Sequence, residues 1–255
     1  MQTVLDFELA KAYKSPSQKI RVITETWVKQ QIFCPACGSS LNQHKANKPV
    51  ADYWCPGCSE VYELKSKKLR LGNKIANGAY GKKIERIQSS TSPNFFILIY
   101  EPINFGITNF FVIPKHFFVP SLIEKRNALS EDAERAKWVG SNILINRIPE
   151  TGKIFYIKDG SESPKATVIS NWKKTLFLRE EKQLAAKGWI LDVMKCIDKL
   201  DKHEFWLEEV YRFEDELKAL HPDNQYIQAK IRQQLQLLRD KGYLQFTGGG
   251  YYRLS

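Results

Sequence analysis

No apolar run in this 255-residue chain approaches the roughly 20 residues needed to cross a bilayer. The longest, Phe95–Tyr100, has the length of a buried strand. The opening residues, Met1-Gln-Thr-Val-Leu-Asp-Phe-Glu, lack the basic-then-apolar layout of a secretion signal. Internal repeats and low-complexity tracts are missing too. Acidic charge is in short supply: 28 Asp and Glu stand against 39 Lys and Arg, a formal charge of +11. Apolar residues reach 43%, which excludes a disordered tail and implies a folded core. The charge favours a polyanionic partner. No basic amphipathic helix stands out, so a membrane-surface binder fits poorly and nucleic acid fits better.

Cysteine is scarce, and its placement matters more than its number. Four of the five fall in two pairs, Cys34-Pro-Ala-Cys37 and Cys55-Pro-Gly-Cys58, separated by 17 residues. That spacing suits a structural zinc ion held by four thiolates, with no position left for water or substrate. Paired disulfides are the alternative, and the cytoplasmic protein expected here disfavours them. His44 lies within the loop, but four cysteines leave it unnecessary as a ligand, so it is expected as an exposed loop residue. Cys196 lies on an apolar helical face as a small core residue.

Along the chain, residues 5–13 and 17–32 have helical pattern, the second started by Ser15-Pro16-Ser17. Tyr53-Trp54 and Val61–Ser66 alternate as strands do, and a helix is expected from about Lys74 to Gln88. Phe95–Tyr100 and Asn109–Pro114 read as strands buried on both faces, with one more at Ile154–Ile157. From Leu184 onward three apolar stripes at helical spacing follow one another: Ile190–Leu200, Trp206–Leu220 and Ile227–Leu238. Two short strands, Tyr243–Thr247 and Tyr251–Leu254, are joined by Gly248-Gly-Gly250. Three helices and a glycine-tipped hairpin make a winged helix-turn-helix, and the domain boundary is placed near residue 183.

Just after the cysteines comes Glu63-Leu-Lys65, with Asp52 upstream. Cutting a phosphodiester needs a divalent cation held by carboxylates, an activated water and relief of phosphate charge. Asp52 and Glu63 supply oxygen ligands of the kind magnesium prefers, with the carbonyl of Leu64 as a further one. Glu63 and Lys65, two apart on a strand, project from one face, so an ammonium stands beside the metal. Glu-x-Lys is common by chance, and a solvated strand edge is the bland alternative.

The Asp52…Glu63-x-Lys65 set resembles the PD-(D/E)xK nuclease superfamily. The wider sequence is similar to the methyl-directed restriction endonucleases within it. The residues that carry this are Pro49-Val-Ala-Asp52, Cys55-x-x-Cys58-Ser-Glu, Glu63-Leu-Lys-Ser-Lys-Lys68, Asn77-Gly-Ala-Tyr80, Pro93-Asn-Phe-Phe96 and Leu176-Phe-Leu-Arg179. Cys196-Ile-Asp-Lys199, Tyr211-Arg-Phe213 and Ile231-Arg-Gln-Gln-Leu-Gln236 extend it to the last domain. One departure is Ala51, where the superfamily name has proline directly before the aspartate. The resemblance implies an α/β, mixed-sheet nuclease domain with a zinc site over 1–183 and a winged helix over 184–255. It further implies a type II, magnesium-dependent enzyme that cuts duplex GATC carrying N6-methyladenine and leaves 5′-phosphate ends. A monomer is expected.

For DNA reading, the third C-terminal helix would bury Ile227, Ile231, Leu235 and Leu238. Its other face then shows Ala229, Arg232, Gln233 and Gln236, with Asn224 and Gln225 at its start. Amide side chains pair with adenine in the major groove, and Arg suits guanine or phosphate. Lys241, Tyr251, Tyr252 and Arg253 on the wing are expected at phosphates, as are Lys67, Lys68 and Arg70 beside the catalytic strand. In Arg135-Ala-Lys-Trp138-Val-Gly, the resemblance implies that Trp138 contacts or wedges between bases near the modified adenine; a core tryptophan is the competing view. A non-catalytic zinc and winged-helix DNA-binding regulator remains the rival reading, and Asp52 with Glu63-x-Lys65 is what such a protein has no need to keep together.

Overall fold

The computed structural model describes residues 1–44 and 51–255. Pro49 and Val50 of the family-like Pro-Val-Ala-Asp stretch therefore lie outside the described residues. Two compact units result: Met1–Asn146 with Thr151–Leu176, and Arg147–Glu150 with Phe177–Ser255. Among the described residues no helix is long and apolar enough to cross a membrane.

In the first unit the chain runs α1 (Pro16–Gln31), β1 (Asn42–Gln43), β2 (Tyr53–Trp54), β3 (Val61–Lys68), β4 (Lys74–Ala79) and α2 (Tyr80–Gln88). Then follow β5 (Asn94–Tyr100), β6 (Ile107–Ile113), β7 (Ile123–Ala128), β8 (Val139–Leu144), β9 (Ile154–Lys158), β10 (Ser161–Glu162) and α3 (Lys165–Lys174). A seven-stranded sheet has the order β1-β2-β3-β5-β6-β9-β10, and β4-β8-β7 form a separate three-stranded sheet. The large sheet is mixed: β3 and β5 are parallel, and the other pairs are antiparallel. Every residue of β5 is buried, as its unbroken apolar run requires of a strand covered on both faces.

One face of that sheet presents Tyr62, Phe96, Leu98, Phe110, Val112 and Tyr156, which form a single core with Trp27 and Val28 of α1 and Val168 and Trp172 of α3. Tyr62 and Phe96 stack at 4.6 Å, and Phe96 meets Phe110 at 5.3 Å. The parallel register pairs Glu63 with Phe95 and Lys65 with Ile97, so these four share the opposite face.

Two expected helices are corrected. Lys74–Ala79 is a strand, because its backbone pairs with β8, and the helix begins only at Tyr80. Residues 5–13 form no α-helix; only Phe7–Ala10 take a 3-10 turn. The basic 115–150 stretch contains the β7–β8 hairpin, whose pairing is local but whose alternation is weak.

The second unit holds α4 (Leu184–Leu200), β11 (Glu204–Trp206), α5 (Leu207–Tyr211), α6 (Glu214–Leu220), α7 (Ile227–Asp240), β12 (Leu244–Gly248) and β13 (Tyr251–Leu254). The expected second helix is thus two short ones, interrupted at Arg212-Phe213, and β11 adds a third strand in the order β11-β13-β12. α7 buries Ile227, Ile231, Leu235 and Leu238 and leaves Ala229, Arg232, Gln233 and Gln236 exposed. Together these elements form a winged helix-turn-helix.

Phe96 is fully buried at the centre of the aromatic core. Phe96→Ala should cost about 3–5 kcal/mol of stability, read as a drop in the urea midpoint; a loss under about 1 kcal/mol would show that this core repacks freely.

Candidate active site and metal centre

The two Cys-x-x-Cys pairs occupy equivalent turns. In each, the carbonyl of the first cysteine accepts an amide four residues on (Gly38 N–H at 2.8 Å, Ser59 N–H at 2.9 Å), and the residue after the second cysteine has positive φ. All four Sγ atoms lie within 4.8 Å of one another. Cys34 and Cys58 approach to 3.5 Å and Cys37 and Cys55 to 3.4 Å. A tetrahedron with zinc–sulfur bonds of about 2.3 Å has edges of about 3.8 Å, so the cluster could hold zinc with little movement. Burial pushes the Cys34 thiol up, and the Tyr62 hydroxyl 3.0 Å away partly offsets this by favouring the thiolate. At Cys37 burial also raises the pKa, but hydrogen bonding with Ser39 and with the neighbouring thiols outweighs it and brings it down to about 6. His44 is half-buried and its ring stacks near Trp54, so it is neither a fifth member of the cluster nor the exposed loop residue expected.

The second cysteine turn is also the connection between β2 and β3, which pair antiparallel with Tyr53 opposite Tyr62 and Trp54 opposite Val61. Asp52 sits immediately before β2, and the hairpin carries it to the middle of β3. There its Oδ2 accepts the Leu64 amide at 2.7 Å, while its own amide donates to the Tyr62 carbonyl at 2.9 Å. Glu63 and Lys65 project from the same face of β3, with Nζ 2.6 Å from Oε1. Asp52, Glu63, Leu64 and Lys65 all line one cavity of about 400 Å³.

The other walls were not legible in the sequence. α1 contributes Arg21 and Glu25, one turn apart and joined at 2.6 Å. Glu25 also accepts Gln43 Nε2 at 3.0 Å, and its carbonyl accepts the Tyr53 hydroxyl at 2.8 Å, which ties α1 to β2. β4 contributes Asn77, Gly78 and Ala79, and α2 contributes Lys82, Lys83 and Arg86. Three carboxylates therefore face a ring of cations. Burial raises the Asp52 pKa, the Leu64 amide pulls it down, and Glu25 and then Glu63 push it up again. Such crowding of negative charge is relieved by a cation.

Lys83 is nearly buried, with Nζ 4.3 and 4.5 Å from the Phe95 and Phe118 ring centres and 3.3 Å from Ser92 Oγ. Burial, helped by Lys65 and Arg86 and opposed by Glu63, brings its pKa down to about 7.

The remaining expected contacts divide by exposure. Lys68 and Arg70 are exposed, but Lys67 donates to the Leu71 carbonyl at 2.7 Å. Arg135 is exposed in the β7–β8 loop, and Trp138 is half-buried immediately before β8. Gln225 is exposed, and Asn224 accepts the Tyr226 amide at 2.8 Å, a local turn that opens α7. Arg232 donates to the Tyr211 hydroxyl at 2.7 Å. Tyr252 differs from expectation: it is 6% exposed, packed between Phe205 and Phe246, so its ring serves the core of the wing. Tyr251 and Arg253 remain nearer the surface and both donate to Glu204.

The chain matches the model of the DpnI, or Dam-replacing, family over residues 1–181. Residues 185–254 match the Dam-replacing HTH domain. The chain belongs to the Dam-replacing family. Membership identifies a modification-dependent restriction endonuclease that acts on DNA. It also accounts for the pairing of a carboxylate-lined cavity in one unit with a DNA-binding helix-turn-helix in the other.

Two outcomes follow. Cys55→Ser should unfold the first unit and remove the one equivalent of zinc expected by elemental analysis; a cooperative, normally stable variant would refute a structural metal. For Lys83, the unfolded amine titrates at the ordinary 10.5 and the folded one at about 7, so the unfolded chain binds more protons between those values. Wild-type stability therefore rises with pH across that window relative to Lys83→Met. The variant's advantage in urea midpoint should be largest below pH 7 and shrink by pH 10; a gap that ignores pH would contradict the burial.

Proposed function

We propose that the chain hydrolyses duplex DNA at GATC sites bearing N6-methyladenine, with magnesium at Asp52, Glu63 and the Leu64 carbonyl, leaving 5′-phosphate ends. The observation that carries this is the convergence of Asp52, Glu63 and Lys65 on one cavity, added to family membership. A magnesium ion bound there would acidify a water and offset charge on the phosphate. Asp52 is held in place by the Leu64 amide, so one ligand is preset. Glu63 is less fixed. Its pairing with Lys65 is partly exposed, and such pairs are worth about 0–1 kcal/mol, so the carboxylate can leave Lys65 for a cation at small cost. The freed ammonium of Lys65 then stands at the cavity wall to hold the attacking oxygen or a phosphate oxygen. Arg21, Lys82 and Arg86 give the surrounding wall the charge to seat a polyanion.

DNA reading is assigned to both units. On α7, Ala229, Arg232, Gln233 and Gln236, with Asn224 and Gln225 at its start, offer a polar face for the major groove; exposure of these helix residues supports the assignment. Arg253 and Lys241 on the wing, and Lys67, Lys68 and Arg135 in the nuclease unit, supply phosphate contacts. Trp138 would meet the modified adenine. We assign zinc to Cys34, Cys37, Cys55 and Cys58 as a structural ion, and a cytoplasmic monomer as the working form.

The test uses plasmid from adenine-methylating and non-methylating hosts, incubated with the protein and magnesium. Only the methylated plasmid should be cut. Equal cutting would remove the methyl dependence, and no cutting would favour a DNA-binding regulator. Asp52→Ala should abolish cutting, by at least about a thousandfold, with binding to methylated duplex retained; lost binding would count against its assigned role.

A further inference from the structure

Gly140 lies inside β8, where glycine weakens a strand and calls for a reason. It is buried, its φ is not in the left-handed region, and it pairs with Ala79 of β4, while the β7 register passes over it between Lys125 and Ala128. The backbone conformation therefore does not demand glycine. What does is the indole of Trp138, the residue immediately before β8. A β-carbon at 140 would stand 2.7 and 2.8 Å from Cζ3 and Cη2 of that ring, and 3.4 Å from Cδ of Arg126. Carbon atoms pack at about 3.5–4.0 Å, so the ring rests in the space that a side chain would take. In the register, Gly140 faces Ala79, which lines the carboxylate cavity. The seat thus lies one strand away from the cavity wall.

We propose that Gly140 is a positioning residue for methyl readout: its missing side chain makes the seat that holds the Trp138 indole, on the strand paired with cavity-lining β4. This rests on the assignment of Trp138 to the modified adenine. With β8 paired to β4 at this residue and the indole rigid, an added methyl forces the ring outward by roughly 1 Å. Gly140 itself need not touch DNA.

Cleavage rates would be measured on short GATC duplexes with and without N6-methyladenine, for wild type, Trp138→Ala, Gly140→Ala and the double variant. Trp138→Ala and Gly140→Ala should each lower the methylated-to-unmethylated rate ratio at least tenfold, and the double variant should be no worse than Trp138→Ala. Thermal unfolding supplies a second readout. With Trp138 gone, Gly140→Ala should leave the Tm unchanged or raise it, since alanine restricts the unfolded chain. A ratio lost in Trp138→Ala but kept in Gly140→Ala overturns the positioning role and leaves the tryptophan assignment standing. A ratio kept in Trp138→Ala overturns both. A Gly140→Ala defect that slows both substrates alike and adds in full to Trp138→Ala makes the glycine merely structural, and overturns the proposal.

Discussion

The hydrogen bond from the Leu64 amide to the Asp52 carboxylate is the contact on which the site depends. It joins an aspartate outside any strand to the middle of a strand twelve residues later. Its geometry is set by the β2–β3 pairing, and that pairing is closed by a turn made of two of the four cysteines. A thiolate-bound ion at the far end of so short a hairpin would act as a rivet: it fixes the register, and a register slip of one residue would turn Glu63 and Lys65 to the other face of the sheet. Site and metal cluster are thus one construction, with chemistry at one end and the brace at the other.

Charge is laid out to the same purpose. Buried carboxylates normally cost stability unless paired, yet Asp52, Glu63 and Glu25 converge on one cavity. Each has compensating partners: the Leu64 amide for Asp52, Lys65 for Glu63, and Arg21 with Gln43 for Glu25. Lys83 solves the complementary problem, an amine with aromatic faces and a hydroxyl around it instead of a carboxylate. Each carboxylate therefore has a partner without any ion, and a cation arriving with a phosphate would be exchanging partners instead of entering an uncompensated pocket.

What could be read in advance follows from how local each signal is. The cysteine turns, the alternation of Val61–Ser66 and the continuous apolar run of β5 each lie within a few residues, and each recurs in the structure, the first strand running on to Lys68. β4 was hidden because only Ile75 is buried along it; the strand exists through pairing with β8, some 65 residues away. Arg21 and Glu25 resembled an ordinary surface pair one helical turn apart, and only the packing of α1 on β2 brings them to Asp52. Tyr252 sits in an alternating strand, where neighbouring Tyr251 and Arg253 look outward and it must look in. The carboxylate cavity was half visible: its β3 floor was written in sequence, its helical walls were not.

The tetrapeptide Arg147–Glu150 interrupts the nuclease unit between β8 and β9 and belongs with the winged-helix unit. There Arg147 meets the buried Asp192 at 3.1 Å, beside His221, and the Glu150 amide donates to Asp198 at 2.8 Å. The reading head is consequently not a detachable cassette. A graft taken from one continuous C-terminal fragment would leave Asp192 short of its guanidinium, and recombination that exchanges specificity in such a chain must carry three breakpoints instead of one.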